Sequence, residues 1–140
     1  MRFWDSSAVI PLLIRQPGSS RVDAWFGADA ELAFWTLTPV EITSALWRLV
    51  RERILPEPAA LHADARCTEL VASAHIIVDV DAVKALARRL LRVHALRAAD
   101  ALQLGAALVW AAGRPHERTL HTLDERLASA ARREGFSVSP

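Results

Sequence analysis

Apolar runs of strand length alternate with helix-length segments along nearly all of the 140 residues, and this alternation limits the possible folds more than any other feature. Residues 2–5, 31–36, 75–80, 118–122 and, more weakly, 136–138 read as short strands. Between them lie helical patterns. One runs over 7–14 and is ended by Gln16-Pro17-Gly18, and a second, capped by Ser19 or Ser20, passes through Trp25 and Phe26. A third opens at Thr38 and repeats Ile42, Ala45, Leu46, Leu49 and Val50 with helical period. Further helices are expected over about 59–74, through Val83, Leu86, Ala87, Leu90 and Leu91, over 98–112 (AADALQLGAALVWAA) and over 124–133. The 98–112 segment is so apolar that it should be buried on most sides. Strands regularly separated by helices imply βαβ units and a parallel sheet covered on both faces. The expectation is one domain, residues 1–140, with a three-layer α/β/α fold around four to five short strands.

The chain is 52% apolar and 24% charged, as in ordinary globular proteins, with a net charge of +1. No global basic field therefore announces a nucleic-acid partner. Of its 17 basic residues, however, all but Lys84 are arginine. Arginine suits bidentate contact with phosphate, although GC-rich coding explains the same bias. Arg88, Arg89, Arg92 and Arg97 read equally as an RNA contact and as a solvated helical face. Cys67 is the single cysteine, which leaves no disulfide framework and no thiolate metal site. No apolar run is long enough for a membrane span and none resembles a signal peptide, so the expectation is a cytoplasmic protein. Trp4, Trp35, Trp47 and Trp110 read as core residues, and Trp47, beside Arg48 and Arg51, reads alternatively as part of a partner groove.

In open parallel sheets the ligand crevice lies outside the carboxyl ends of the strands. Asp5 ends the first strand, Glu41 lies in the first turn of the helix after the second, and Asp124 stands where the fourth strand passes into its helix. Asp100 falls in the first turn of the long apolar helix, with no strand directly before it. Three of the four also have a structural reading. Thr38-Pro39-Val40-Glu41 has the form of a capping box, Thr122-Leu123-Asp124-Glu125 offers a similar cap, and Asp100 gains from the helix dipole. Asp5 is harder to explain structurally, because a short turn from strand to helix does not need a carboxylate. If the acids converge, their repulsion calls for a compensating cation. Oxygen-only ligands, with no HExxH pair, suit Mg²⁺ or Mn²⁺ and phosphodiester chemistry rather than zinc.

At this point four ordered blocks resemble a known family. RFWDSSAVIPLL, TPVEITSALWRL, LRAADALQLGAAL and LHTLDERLASAARREGFSV are similar to the motifs of PIN-domain endoribonucleases, in particular the VapC toxins of VapBC toxin–antitoxin systems. The resemblance spans essentially the whole chain. It implies a PIN-like fold and Mg²⁺-dependent (or Mn²⁺-dependent) hydrolysis of RNA to 5′-phosphate and 3′-hydroxyl ends. Asp5, Glu41, Asp100 and Asp124 would be the metal-binding acids, with Asp124 either on a second metal or acting through water. Ser7 and Thr122 would steady the ligands or the attacking water. It also implies a small VapB-type antitoxin as partner, and a homodimer or toxin–antitoxin hetero-oligomer. Two positions depart from the pattern: Gln103 stands where His is frequent, and His121 where an apolar residue is usual.

Two other classes compete with this reading. A phosphoacceptor signalling domain also clusters acids at a parallel sheet's edge, but it needs a lysine near the crevice, and Lys84 lies in a helix between blocks. A non-toxin PIN-like module would bind RNA or protein without cleaving. No GxxxxGK[ST] or GxGxxG occurs, so nucleotide-dependent chemistry has no support.

Overall fold

The computed structural model describes residues 1–139. In chain order the strands are β1 (Arg2–Trp4), β2 (Leu32–Trp35), β3 (His75–Ile77), β4 (Thr119–His121) and β5 (Ser137–Val138). The helices are α1 (Ser6–Leu13), α2 (Ser19–Ala28), α3 (Thr38–Arg51), α4 (Glu57–Ser73), α5 (Val80–Val93), α6 (Ala98–Ala111) and α7 (Glu125–Arg133). The strands form one sheet in the order β3-β2-β1-β4-β5, and every pairing is parallel. This is the expected three-layer α/β/α arrangement.

Residue-by-residue alternation along the strands divides the core in two, as the period of two in a strand requires. Phe3, Ala33, Trp35 and Leu120 point to a layer made with α5, α6 and α7, where they meet Val83, Leu90, Leu104 and Leu127. Trp4, Leu32 and Phe34 point the other way, onto Val9, Val22, Ile42, Leu46 and Cys67 of α1 to α4. Both strand faces are thus apolar, the pattern of a sheet covered on both sides. Trp4 and Trp35 are core residues as expected. Trp110 is half-buried and tilted against Phe3, while Trp47 is half-buried and belongs to neither core cluster. Helix α6 lies close to α5, because a Cβ on Gly105 would stand only 3.0 Å from the Val83 carbonyl oxygen.

The elements depart from expectation mainly at their ends. β3 stops at Ile77 rather than at Val80, since Val78 is exposed and the Asp79 carboxylate turns back to accept from the Ala82 amide and cap α5. Neither Ser19 nor Ser20 caps α2. Its cap residue is Gly18, with a left-handed φ of 96°, and the Ser19 hydroxyl instead donates to the Pro11 carbonyl at the end of α1. His121 does not disturb strand pairing: it lies opposite Trp4 in the β1–β4 ladder, with its ring stacked on Trp25.

Candidate active site

β1 ends at Trp4, and Asp5 is both the end of the strand and the cap of α1, its carboxylate accepting from the Ser7 amide at 3.2 Å. The acid hardest to explain structurally therefore has a structural task as well. Capping alone does not account for its surroundings, however. Asp5 Oδ2 also accepts from the Ser7 hydroxyl at 2.5 Å and the Thr122 hydroxyl at 2.9 Å. Three donors fix that oxygen, while Oδ1 has only a long contact with Ser6 at 3.4 Å. The hydroxyls are held in turn: Ser7 Oγ accepts from the Leu123 amide, and Thr122 Oγ1 from the Asp124 amide. The loop after β4 is thus tied to the turn after β1 by a closed set of hydrogen bonds.

Glu41 is not the reciprocal half of a capping box. The cap position of α3 is Leu37, and no side chain caps the helix. Thr38 instead turns inward to pair with Gln103 of α6 at 3.0 Å, and Glu41 Oε1 accepts from the same Gln103 amide at 3.1 Å. Glu41 Oε2 accepts from the Ser6 hydroxyl at 3.0 Å. Ser6 thereby stands between the Asp5 and Glu41 carboxylates.

Asp100 and Asp124 keep their structural roles. Asp100 Oδ2 accepts from the Arg97 amide at the start of α6, and Asp124 Oδ1 accepts from the Arg126 and Leu127 amides at the start of α7. Asp100 is nevertheless close enough for its charge to act on both Asp5 and Glu41. Burial pushes the Asp5 carboxyl above its usual range, against the hydrogen bonds from Ser7 and Thr122, and the charge of Asp100 adds to the rise. Burial likewise raises Glu41, against donation from Gln103 and Ser6, and the charges of Asp5 and Asp100 push it further up. Asp124 joins this group through Thr122.

Among the described residues, no three His, Cys, Asp or Glu side chains are gathered tightly enough to hold one ion. The donor set still fits a hard divalent cation in its chemistry: it is all oxygen, burial raises Asp5 and Glu41, and no ion pair among the described residues involves these acids. Of the arginines considered above, Arg89 is committed to Glu134 at 2.6 Å.

Of the residues singled out in the sequence, the fold joins Asp5, Ser7, Glu41 and Thr122 by hydrogen bonds, through Ser6, and ties the Asp124 amide to Thr122, while Asp100 makes no hydrogen bond to any of them. The sequence had not indicated Ser6 or Thr38. Ser6 carries no signal of its own in the sequence: both serines of the Asp-Ser-Ser run meet Asp5, and only the packing of α1 beside α3 brings Ser6 to Glu41. Gln103 was visible only as a departure from a family pattern, not as the donor to Glu41.

No family model matches the chain. Two curated relatives from Mycobacterium tuberculosis, ribonuclease VapC45 (strain CDC 1551 / Oshkosh) and ribonuclease VapC49 (strain ATCC 25618 / H37Rv), are each 34% identical over 139 residues, which is 99% of this chain and 94% of theirs. Among solved structures, FitAcB from Neisseria gonorrhoeae superposes with a TM-score of 0.66 at 18% identity, covering 100% of this chain and 97% of that one. PAE2754 from Pyrobaculum aerophilum gives 0.62 at 22% identity, over 98% and 87%. FitAB bound to an IR36 DNA fragment gives 0.66 at 19% identity, over 99% and 94%. The structural neighbours share the fold, and the full-length identity to the curated relatives decides the family. The chain belongs to the VapC family of PIN-domain ribonucleases.

Proposed function

We propose that this chain is the toxin component of a type II toxin–antitoxin system, a Mg²⁺- or Mn²⁺-dependent endoribonuclease that hydrolyses RNA phosphodiester bonds at the Asp5–Glu41–Asp100–Asp124 edge. The observation that carries this reading is the pair of carboxylates Asp5 and Glu41 joined through the Ser6 hydroxyl, neither of them in an ion pair among the described residues. The two relatives named ribonuclease support the substrate. When bound, a divalent cation would supply an activated water and stabilise the leaving oxygen, giving 5′-phosphate and 3′-hydroxyl products. The residues themselves do the positioning. Ser7 and Thr122 lock Asp5 Oδ2 and leave Oδ1 as the oxygen free to ligate, and Ser6 and Gln103 hold one oxygen each of Glu41. Asp100 would be the third ligand, and Asp124 the fourth or a residue acting through water.

The phosphoacceptor alternative finds no lysine at the edge, because Lys84 pairs with Asp81 at 2.8 Å on the exposed face of α5. A non-cleaving PIN-like module would retain the fold without needing the acids. Regulation by a VapB-type antitoxin covering the acidic edge, assembly as a homodimer or hetero-oligomer, and a cytoplasmic location complete the reading. Among the described residues no helix is long and apolar enough to cross a membrane.

The test is cleavage of structured RNA by wild type, Asp5→Asn and Asp100→Asn with Mg²⁺, Mn²⁺ or EDTA. Cleavage by wild type that EDTA abolishes and both variants lack is the expected result. Equal cleavage by all three, or cleavage that survives EDTA, would remove the catalytic assignment. An adjacent small reading frame for a DNA-binding protein is expected if the toxin reading holds.

A further inference from the structure

A pocket of about 460 Å³ opens beside the acids, lined by Ser6, Ser7, Glu41 and Arg48 with an apolar wall from Ile10, Val40 and Ala45. Glu41 and Arg48 are seven residues apart on α3. At about 1.5 Å per residue and 3.6 residues per turn, that places them on nearly the same face and roughly 10 Å apart along the axis. Arg48 is exposed, and no carboxylate among the described residues pairs with it. Its position in the last turn of α3 gives it a favourable dipole interaction. That does not explain why an unpaired guanidinium borders the same pocket as the acidic edge.

We propose that this pocket is a substrate subsite in which Arg48 binds a phosphate of the RNA strand next to the one being cleaved, with the intervening ribose or base against Ile10, Val40 and Ala45. The inference rests on the ribonuclease reading above and extends it to a residue outside the acid set. Charge and shape both support it. A polyanion led to a row of carboxylates needs a cation to hold it there, and a planar guanidinium offers two parallel donors to phosphate oxygens. The three apolar side chains give a sugar or base a dry surface, and the Ser6 and Ser7 hydroxyls at the floor already contact the acids. Arg48 lies two turns along α3 from Glu41 and makes no hydrogen bond or ion pair with the acids among the described residues, so its place in the proposal is binding and register rather than the bond-breaking step.

The test compares wild type, Arg48→Ala and Arg48→Lys on a fluorescein-labelled random-sequence oligoribonucleotide. Cleavage is followed with Mg²⁺ and binding is followed in EDTA over a range of salt. Thermal melting checks the fold. Arg48→Ala is expected to raise KM roughly tenfold with kcat nearly unchanged. It is also expected to flatten the plot of log affinity against log salt by about 0.7, the share of one phosphate contact on a single strand. Arg48→Lys should recover the salt slope and only part of the KM. An Arg48→Ala protein with unchanged KM and salt slope, while wild type cleaves, overturns the subsite and assigns Arg48 to a protein partner or to solvent. A wild type that neither cleaves nor binds the RNA overturns the ribonuclease reading, and the subsite with it.

Discussion

The Thr122 hydroxyl donates to Asp5 Oδ2 at 2.9 Å across 117 residues of sequence. β4 pairs beside β1 in the sheet, so the residue after one strand meets the residue after the other. Since Thr122 also accepts from the Asp124 amide, it connects the first and last acids. Thr122→Val should lower kcat at least tenfold by freeing Asp5 from one of its three donors, and should cost about 1–3 kcal/mol because a backbone amide loses its acceptor. Thr122→Ser, which keeps the hydroxyl, should restore both. Steady-state cleavage and chemical denaturation check the pair of effects.

Gln103 is buried and serves two partners, Thr38 and Glu41. Its donation holds the Glu41 carboxyl down against burial, so Gln103→Leu should move Glu41 further up. The acidic limb of the pH–rate profile should then shift to higher pH, and more Mg²⁺ should be needed for half-maximal cleavage. A lower rate at every pH with no shift in either would show that Gln103 acts through packing alone.

Metal should stabilise the fold. A cation that binds the folded acids and not the unfolded chain adds about 2.7 kcal/mol at one hundred times its dissociation constant. Mg²⁺ or Mn²⁺ should therefore raise the melting temperature of wild type and have little effect on Asp100→Asn. Without metal, Asp100→Asn should be at least as stable as wild type. Asparagine keeps an acceptor for the Arg97 amide while removing a charge that repels Asp5 and Glu41. The metal effect should weaken towards acid, where protons compete for carboxyls whose pKa values are raised.

His121 should make the fold sensitive to acid. Its ring is fully buried between Trp4 and Trp25, and neither ring nitrogen has a hydrogen-bond partner among the described residues. Burial therefore lowers its pKa from 6.5 to about 4. Because the folded value is depressed, the unfolded chain takes up a proton first. Stability is complete above pH 6.5 and falls as pH drops towards 4, by about 3 kcal/mol at most. Asp5 and Glu41, raised in the folded state, act in the opposite sense at the acid end. The comparison of wild type with His121→Leu isolates the histidine: the difference in unfolding free energy between the two should grow as pH falls from 6.5 to 4.

Gly105 should resist substitution. Alanine gains up to about 1 kcal/mol in helix propensity. Its Cβ, however, would stand 3.0 Å from the Val83 carbonyl oxygen and 3.4 Å from the Ala87 amide nitrogen, both backbone atoms of α5. Overpacking of this kind costs about 1–3 kcal/mol, so Gly105→Ala should lower the melting temperature.

The strands, the parallel sheet and the sheet edge where Asp5, Glu41 and Asp124 fall were all legible in the sequence, because periodicity and strand-to-helix junctions are local properties. Asp100 was placed through a family block, and the fold brings it near Asp5 and Glu41 although no strand directly precedes α6. Element ends were less legible. β3 loses its last residues to the Asp79 cap, and the Thr38–Glu41 pattern of a capping box is overridden by contacts to another helix.

The sequence by itself determined where Asp5, Glu41 and Asp124 stand, since a residue at a strand-to-helix junction of a parallel sheet lies at the sheet edge wherever the helices go. Only the tertiary structure decided what holds them. Ser6 rather than solvent meets Glu41 across 35 residues, Gln103 reaches it across 62, and Thr122 closes on Asp5 across 117. Those bonds depend on how α1, α3 and α6 pack over the sheet, and a hydrogen bond tolerates only a few tenths of an ångström. No pattern along the chain carries that information. It is set when two apolar layers close on opposite faces of one sheet.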